Sequence, residues 1–289
     1  MTGFRELSWR SADGLSLFAS DYGNGEAGKL PVICIPGLTR NARDFEDVAP
    51  WIAAMGRRVI AVDLRGRGRS DRDKNARNYR PPTYAADVVG LLDSIGAPRA
   101  LFVGTSLGGI VTMTMASKHI DRIGGAVLND VGPVIAKEGF ARIAGYAGRR
   151  VAVKSWAEAI AYAKQTGGVA FPGYRDADWS VFVRRIFKEG PDGVPALECD
   201  PGVFRPMNPV LTWLLTPMVW ALFRKLTTGR KTLLVRGAIS DVLNAETASR
   251  MRREAKDMAY VEVDNVGHAP TLSEPQAKES LAQFFSEAP

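Results

Sequence analysis

The chain has 289 residues, 46% of them hydrophobic and 24% charged, so at ~150 residues per domain it holds one large core or a core with a sizeable insertion, and composition excludes a disordered or fibrous protein. Its two cysteines, Cys34 and Cys199, cannot build a disulfide framework or a cysteine-rich metal centre, which makes a reduced cytoplasmic protein the expectation. The formal charge of +7 is clustered, with nine Lys/Arg against three Asp/Glu from Arg57 to Arg80 and thirteen against eight from Pro133 to Thr228.

The chain opens with two strand patterns, Phe4 to Arg10 and Leu15 to Tyr22, joined across Ala12-Asp13-Gly14 as a hairpin. Pro31 to Ile35 and Arg58 to Asp63 are apolar runs rich in Val and Ile, as expected of strands buried on both faces, and between them Asp44 to Met55 has helical spacing. A helix over Thr83 to Ile95, a strand over Ala100 to Val103, a helix over Leu107 to Lys118 and a strand over Gly125 to Leu128 continue the alternation. Such alternation predicts a mostly parallel sheet with helices on both faces.

After Asp130 the pattern changes. From Pro133 to Thr228 helices follow one another, around Ala136 to Ala147, Ser155 to Gln165, Trp179 to Glu189 and Leu211 to Leu226, with no convincing strand. Pro172-Gly173, Pro191-Asp192-Gly193, Asp200-Pro201-Gly202 and Pro206 punctuate them. Strands then resume at Thr232 to Arg236 and Tyr260 to Val263, around a helix near Ala245 to Arg253 and before a closing helix from Glu274 to Phe285. The expected organisation is therefore a core over 1–132 and 229–289, interrupted by a helical insert over 133–228.

Several function classes are disfavoured. Aromatic residues are not interleaved with the basic runs, and no helix-turn-helix or zinc-finger spacing occurs, so no nucleic-acid partner is expected. The first basic run reads as a solvated arginine-rich loop. Met1 to Arg10 has no apolar run behind a basic segment, and Pro209 to Phe223 is too short to span a bilayer and contains Pro217. Gly66-Arg67-Gly68 lacks the third glycine of a dinucleotide fingerprint, and two distant histidines with two distant cysteines match no zinc spacing, so neither cofactor nor metal is expected. Cys34 and Cys199 read as inert packing residues, and Trp213, Trp220 and Phe223 as packing within the insert.

Gly104-Thr105-Ser106-Leu107-Gly108-Gly109 follows a predicted strand and opens a predicted helix. A serine on so sharp a turn projects its hydroxyl at the carboxyl edge of the sheet. The hydroxyl needs a base, and the chain has two histidines. His119 ends the helix after Ser106 and reads as a surface helix cap, whereas His268 follows the last strand and can reach the same sheet edge. A carboxylate must fix the imidazole tautomer. Asp241, beyond the strand after the insert, is preferred, with Asp130, at the end of the strand before it, as the rival.

These residues, in the order Ser106, Asp241, His268, resemble the α/β-hydrolase superfamily, as do Asp63-Leu64-Arg65-Gly66-Arg67-Gly68-Arg69-Ser70 and Ile35-Pro36-Gly37-Leu38. Pro36 stands where many members have His. The resemblance implies a serine hydrolase of small esters or related acyl compounds, an oxyanion hole from the backbone N–H groups of Leu38 and Leu107, and an insert acting as a cap over the pocket. Serine members also include lactonases, carbon-carbon bond hydrolases, perhydrolases and acyltransferases. Ser106 disfavours the aspartate-nucleophile members, dehalogenases and epoxide hydrolases. A non-catalytic small-molecule receptor of the same fold is the reading from another class. The cap aromatics and basic runs lean towards a partly apolar, anionic acyl substrate.

Overall fold

The computed structural model describes residues 3–204 and 209–289, with 209–213 as helical backbone; Pro206 and the side chain of Trp213 lie outside the described residues. Strands β1 (Arg5–Arg10) and β2 (Ser16–Tyr22) form the opening hairpin, and β2 pairs antiparallel with β4 (Val59–Asp63). From β4 inward the sheet is parallel: β3 (Val32–Ile35), β5 (Ala100–Thr105), β6 (Ile123–Asn129), β9 (Lys231–Gly237) and β10 (Ala259–Val263). The spatial order is β1-β2-β4-β3-β5-β6-β9-β10.

Strand periodicity assigns side chains to two apolar layers. Ile33, Ile35 and Phe102 face one layer, where α2 (Pro81–Ser94), α3 (Leu107–Met115) and α8 (Ala245–Glu254) pack. Val32, Cys34, Leu101 and Val103 face the other, covered by α1 (Val48–Ala53) and α9 (Pro275–Glu287). Because both faces are covered, these strands read as continuous apolar runs.

Between β6 and β9 lie α4 (Lys137–Tyr146), α5 (Trp156–Gly167), α6 (Asp176–Ile186) and α7 (Pro209–Thr227). Ala159, Ala163, Phe171, Trp179 and Val183 form a small apolar cluster of their own within this segment. Trp220 and Phe223 of α7 instead join the core layer of α3, so they do not pack within the insert as expected.

Other departures have local causes. The helix expected over Asp44 to Met55 is a short 3-10 turn, Ala42–Phe45, followed by α1, because Asn41 accepts the Arg43 N–H and Asp63 accepts the Ala42 N–H at 2.7 Å. The helix expected to start at Trp179 begins at Asp176, where Asp178 accepts the Arg175 N–H. It stops at Ile186, and β7 (Phe187–Glu189) then pairs antiparallel with β8 (Pro195–Leu197), a hairpin that the reading of the insert did not contain.

The first basic run is a solvated loop only in part: Arg69, Arg72, Lys74, Arg77 and Arg80 are exposed, but Arg57, Arg65 and Arg67 are buried. Arg57 donates to the carbonyls of Leu30, Phe285, Ala288 and Pro289, tying the chain end to the core. Arg65 binds Asp87, Asp13 and Asp73, and its hydrogen bond holds the Asp13 carboxyl down at about 2. Three carboxylates around one guanidinium offset its desolvation. Among the described residues no helix is long and apolar enough to cross a membrane.

Candidate active site

Ser106 sits between β5 and α3 with φ 52° and ψ −113°, a conformation that is strained for a residue with a side chain. The surroundings force it. A Cβ on Gly104 would lie 2.5 Å from the backbone of Gly108, and one on Gly108 would lie 2.1 Å from the Ile35 carbonyl oxygen. The glycines let β5, α3 and the end of β3 close on one another, and the Ser106 N–H donates to the Asn129 carbonyl at 2.9 Å.

His268, in the loop after β10, reaches this edge, and its Nε2 lies 2.8 Å from Ser106 Oγ. Its Nδ1 lies 2.7 Å from Oδ2 of Asp130. A carboxylate only accepts, so Nδ1 carries the proton and Nε2 is left to accept from the serine hydroxyl. Asp130 is fully buried, with φ 54°, at the end of β6. The Gly237 N–H donates to its Oδ1 at 2.9 Å and the Ser240 hydroxyl to its Oδ2 at 2.6 Å. These two donors and the imidazole compensate a charge that burial would otherwise oppose.

Asp241 is therefore not the partner of His268, contrary to the sequence preference. The chain turns back at the end of β9, where the Ser240 N–H donates to the Gly237 carbonyl at 2.9 Å, and Asp241 faces α4. There the Arg142 guanidinium holds both carboxylate oxygens, at 2.5 and 2.8 Å. Burial alone would raise the Asp241 carboxyl, but the Arg142 hydrogen bonds and charge outweigh it and leave it below the usual carboxylate range.

Two supports had no sequence signal. The Asn129 side-chain amide donates to the Pro270 carbonyl at 2.8 Å and to Thr105 Oγ1 at 3.0 Å, so the strand end that carries Asp130 also braces the histidine loop. Buried Arg67 donates from Nε to the Leu38 carbonyl at 2.9 Å and from Nη1 to the Arg65 carbonyl and the Tyr84 hydroxyl. It thereby fixes the backbone of the loop after β3.

Leu38 lies in that loop and lines the same cavity as Ser106 and His268. Leu107 is the first residue of α3, so its N–H has no partner within the helix. The helix dipole at this end favours negative charge. Tyr146, Tyr162, Phe171 and Phe182 of the insert complete the cavity wall. His119 lies beyond the far end of α3, where its N–H donates to the Met115 carbonyl. Both cysteines are buried, and desolvation raises both thiols, Cys199 to about 11. Among the described residues no group of three or more His, Cys, Asp or Glu is placed to hold a metal ion.

Comparison with known proteins agrees with this architecture. The family model described as "Alpha/beta hydrolase family" matches residues 32–278. The chain is 34% identical over 284 residues to a 3-hydroxybutyrate-oligomer hydrolase of Cupriavidus necator, covering 96% of each chain. It is similar to the crystal structure of an alpha/beta hydrolase from Novosphingobium aromaticivorans, with a TM-score of 0.90, 37% identity and 99% of each chain covered. An epoxide hydrolase B of Mycobacterium tuberculosis is 38% identical over 96 residues, 33% of this chain and 27% of that protein.

Proposed function

Because the chain belongs to the alpha/beta hydrolase family, we propose that it is a serine hydrolase of carboxylic esters that works through an acyl-enzyme on Ser106. One observation carries the reading: an unbroken hydrogen-bonded path from Ser106 Oγ through His268 to the buried Asp130 carboxylate. A hydroxyl is a poor nucleophile at neutral pH, and an imidazole locked in the Nδ1–H tautomer is placed to take its proton.

In the first half-reaction Ser106 Oγ bonds to the ester carbon while its proton passes to His268 Nε2. The oxyanion is held by the N–H groups of Leu38 and Leu107, an arrangement in which one donor is typically worth about 10²–10³ in kcat. Asp130 stabilises the imidazolium. The bond from carbon to the leaving oxygen then breaks, and His268 returns the proton to that oxygen. In the second half-reaction water, deprotonated by His268, adds to the acyl carbon and Ser106 leaves with the proton. Arg67 acts through the Leu38 carbonyl as a positioning residue.

The segment 133–228 serves as the cap that closes this cavity against water. For substrate, the full-length likeness to a hydrolase of 3-hydroxybutyrate oligomers favours short hydroxyacyl esters over bulky ones. Treatment with a fluorophosphonate tests the core of the reading. Intact-mass spectrometry should show one adduct, on Ser106, with loss of activity towards p-nitrophenyl esters; an adduct elsewhere, or full turnover by Ser106→Ala, contradicts it.

A further inference from the structure

The cavity beside Ser106 shares part of its wall with a second groove. Tyr146, Arg149, Tyr162 and Thr166 line both the catalytic cavity and that groove, which is formed by α4, α5 and residues 149–153, so Arg149 borders both. Five arginines line these two spaces, and three are neutralised by a carboxylate. Arg40 holds Asp44 at 2.5 Å, Arg185 holds Asp47 at 2.6 Å and Arg142 holds Asp241 at 2.5 Å. Arg149 and Arg150, exposed just beyond α4, hold no carboxylate among the described residues.

Two further carboxylates face these spaces, each held by neutral donors rather than by an arginine. Glu158, in the groove, accepts the Lys154 N–H at 2.8 Å and sits in the first turn of α5, where the helix dipole favours it. Asp200, on the cavity side, accepts from the Tyr79 hydroxyl and the Gly202 N–H. Of the three arginines that line the catalytic cavity, Arg40, Arg149 and Arg185, Arg149 alone holds no carboxylate among the described residues.

We propose that Arg149, with Arg150 beside it, is a carboxylate subsite for the leaving half of a short hydroxyacyl ester. The inference rests on the ester-hydrolase reading above. In an ester of one hydroxy acid with another, the free carboxylate belongs to the alcohol half, so with the scissile carbonyl at Ser106 that half extends along the cavity wall towards Arg149. When the carbon to oxygen bond breaks, His268 protonates the leaving oxygen, and the released hydroxy acid keeps its carboxylate on the guanidinium. The planar fork of arginine suits that anion.

The test is kcat/KM for the linear dimer of 3-hydroxybutyrate as free acid and as methyl ester. The unaltered protein should prefer the acid about tenfold at low ionic strength, and salt should erode that preference. The acid-to-ester ratio should fall to near one in Arg149→Gln and invert in Arg149→Glu. A ratio that is the same in all three proteins, a salt-independent ratio, or turnover of neither dimer overturns the subsite. Ser106→Ala reports separately: if it still hydrolyses the methyl ester, the ester-hydrolase reading fails, whereas Ser106-dependent activity with a ratio of one throughout removes the subsite alone.

Discussion

Asp130 and Asp241 leave the carboxyl ends of adjacent strands, β6 and β9, and meet opposite environments. Asp130 is fully buried against His268, Ser240 and the Gly237 N–H. Asp241 is half-buried and clamped by Arg142 of α4. One carboxylate is aimed into the core edge, and the other joins that edge to the insert. Position after a strand makes a carboxylate eligible; the donors that converge on it decide what it does. A neutral imidazole gains an oriented partner from a carboxylate, but a carboxylate already saturated by a guanidinium has little left to offer.

Substitutions can break this contrast. Asp130→Asn should lower kcat by about 10⁴, because an amide no longer enforces the Nδ1–H tautomer. Steady-state kinetics on p-nitrophenyl esters would read it, and activity within tenfold of the parent would contradict the assignment. Ser240→Ala removes one of the donors that fix Asp130; a hydrogen bond to a charged group is worth ~1.5–3 kcal/mol, so kcat should fall about tenfold with little change in KM. Asp241→Asn and Arg142→Gln should each change kcat less than about threefold, and each should increase protease cleavage within 133–228, since that pair ties α4 to the loop after β9. If Asp241→Asn were as damaging as Asp130→Asn, the two aspartates would share one role.

A third aspartate sharpens the contrast through pH. Asp63 is buried without a cation within ion-pair distance among the described residues, and desolvation pushes its carboxyl up to about 6, partly offset by the N–H groups of Ala42 and Arg69. Its folded value lies above the ordinary 3.8, so the protonated form favours folding: that contribution is full below about pH 4 and is lost as pH rises through 6. Thermal melts of the parent minus those of Asp63→Asn should slope downwards across that window. An upward slope would mean that Asp63 is stabilised as an anion.

Ser106 and His268 were legible because their signals are local. Elbow glycines flank the serine, and the strand order leaves a single histidine at the right edge. The choice between Asp130 and Asp241 was not local: both follow a strand, and what separates them is the approach of Gly237 and Ser240 to Asp130 and of Arg142 to Asp241, contacts spanning about a hundred residues. Ser240, one residue before the preferred acid, was the available clue, since a hydroxyl there needs a nearby acceptor. The buried arginines misled for the same reason. Arg65 reads as solvated until Asp13, Asp73 and Asp87 are seen to converge on it. The sheet and its flanking helices, apart from the start of α1, were legible because two covered faces impose long apolar runs. The short β7–β8 hairpin was not, because three residues per strand carry too little periodicity.

The central claim is that Asp130, not Asp241, orients His268, and the chain's two histidines make it directly measurable. With ¹⁵N-labelled histidine, NMR resolves His268 from His119 and reports which ring nitrogen carries the proton. The unaltered protein and Asp241→Asn should both show the proton on His268 Nδ1, in a strong hydrogen bond at neutral pH, and Asp130→Asn should lose that tautomer. Loss of the Nδ1 proton in Asp241→Asn with its retention in Asp130→Asn would contradict the account.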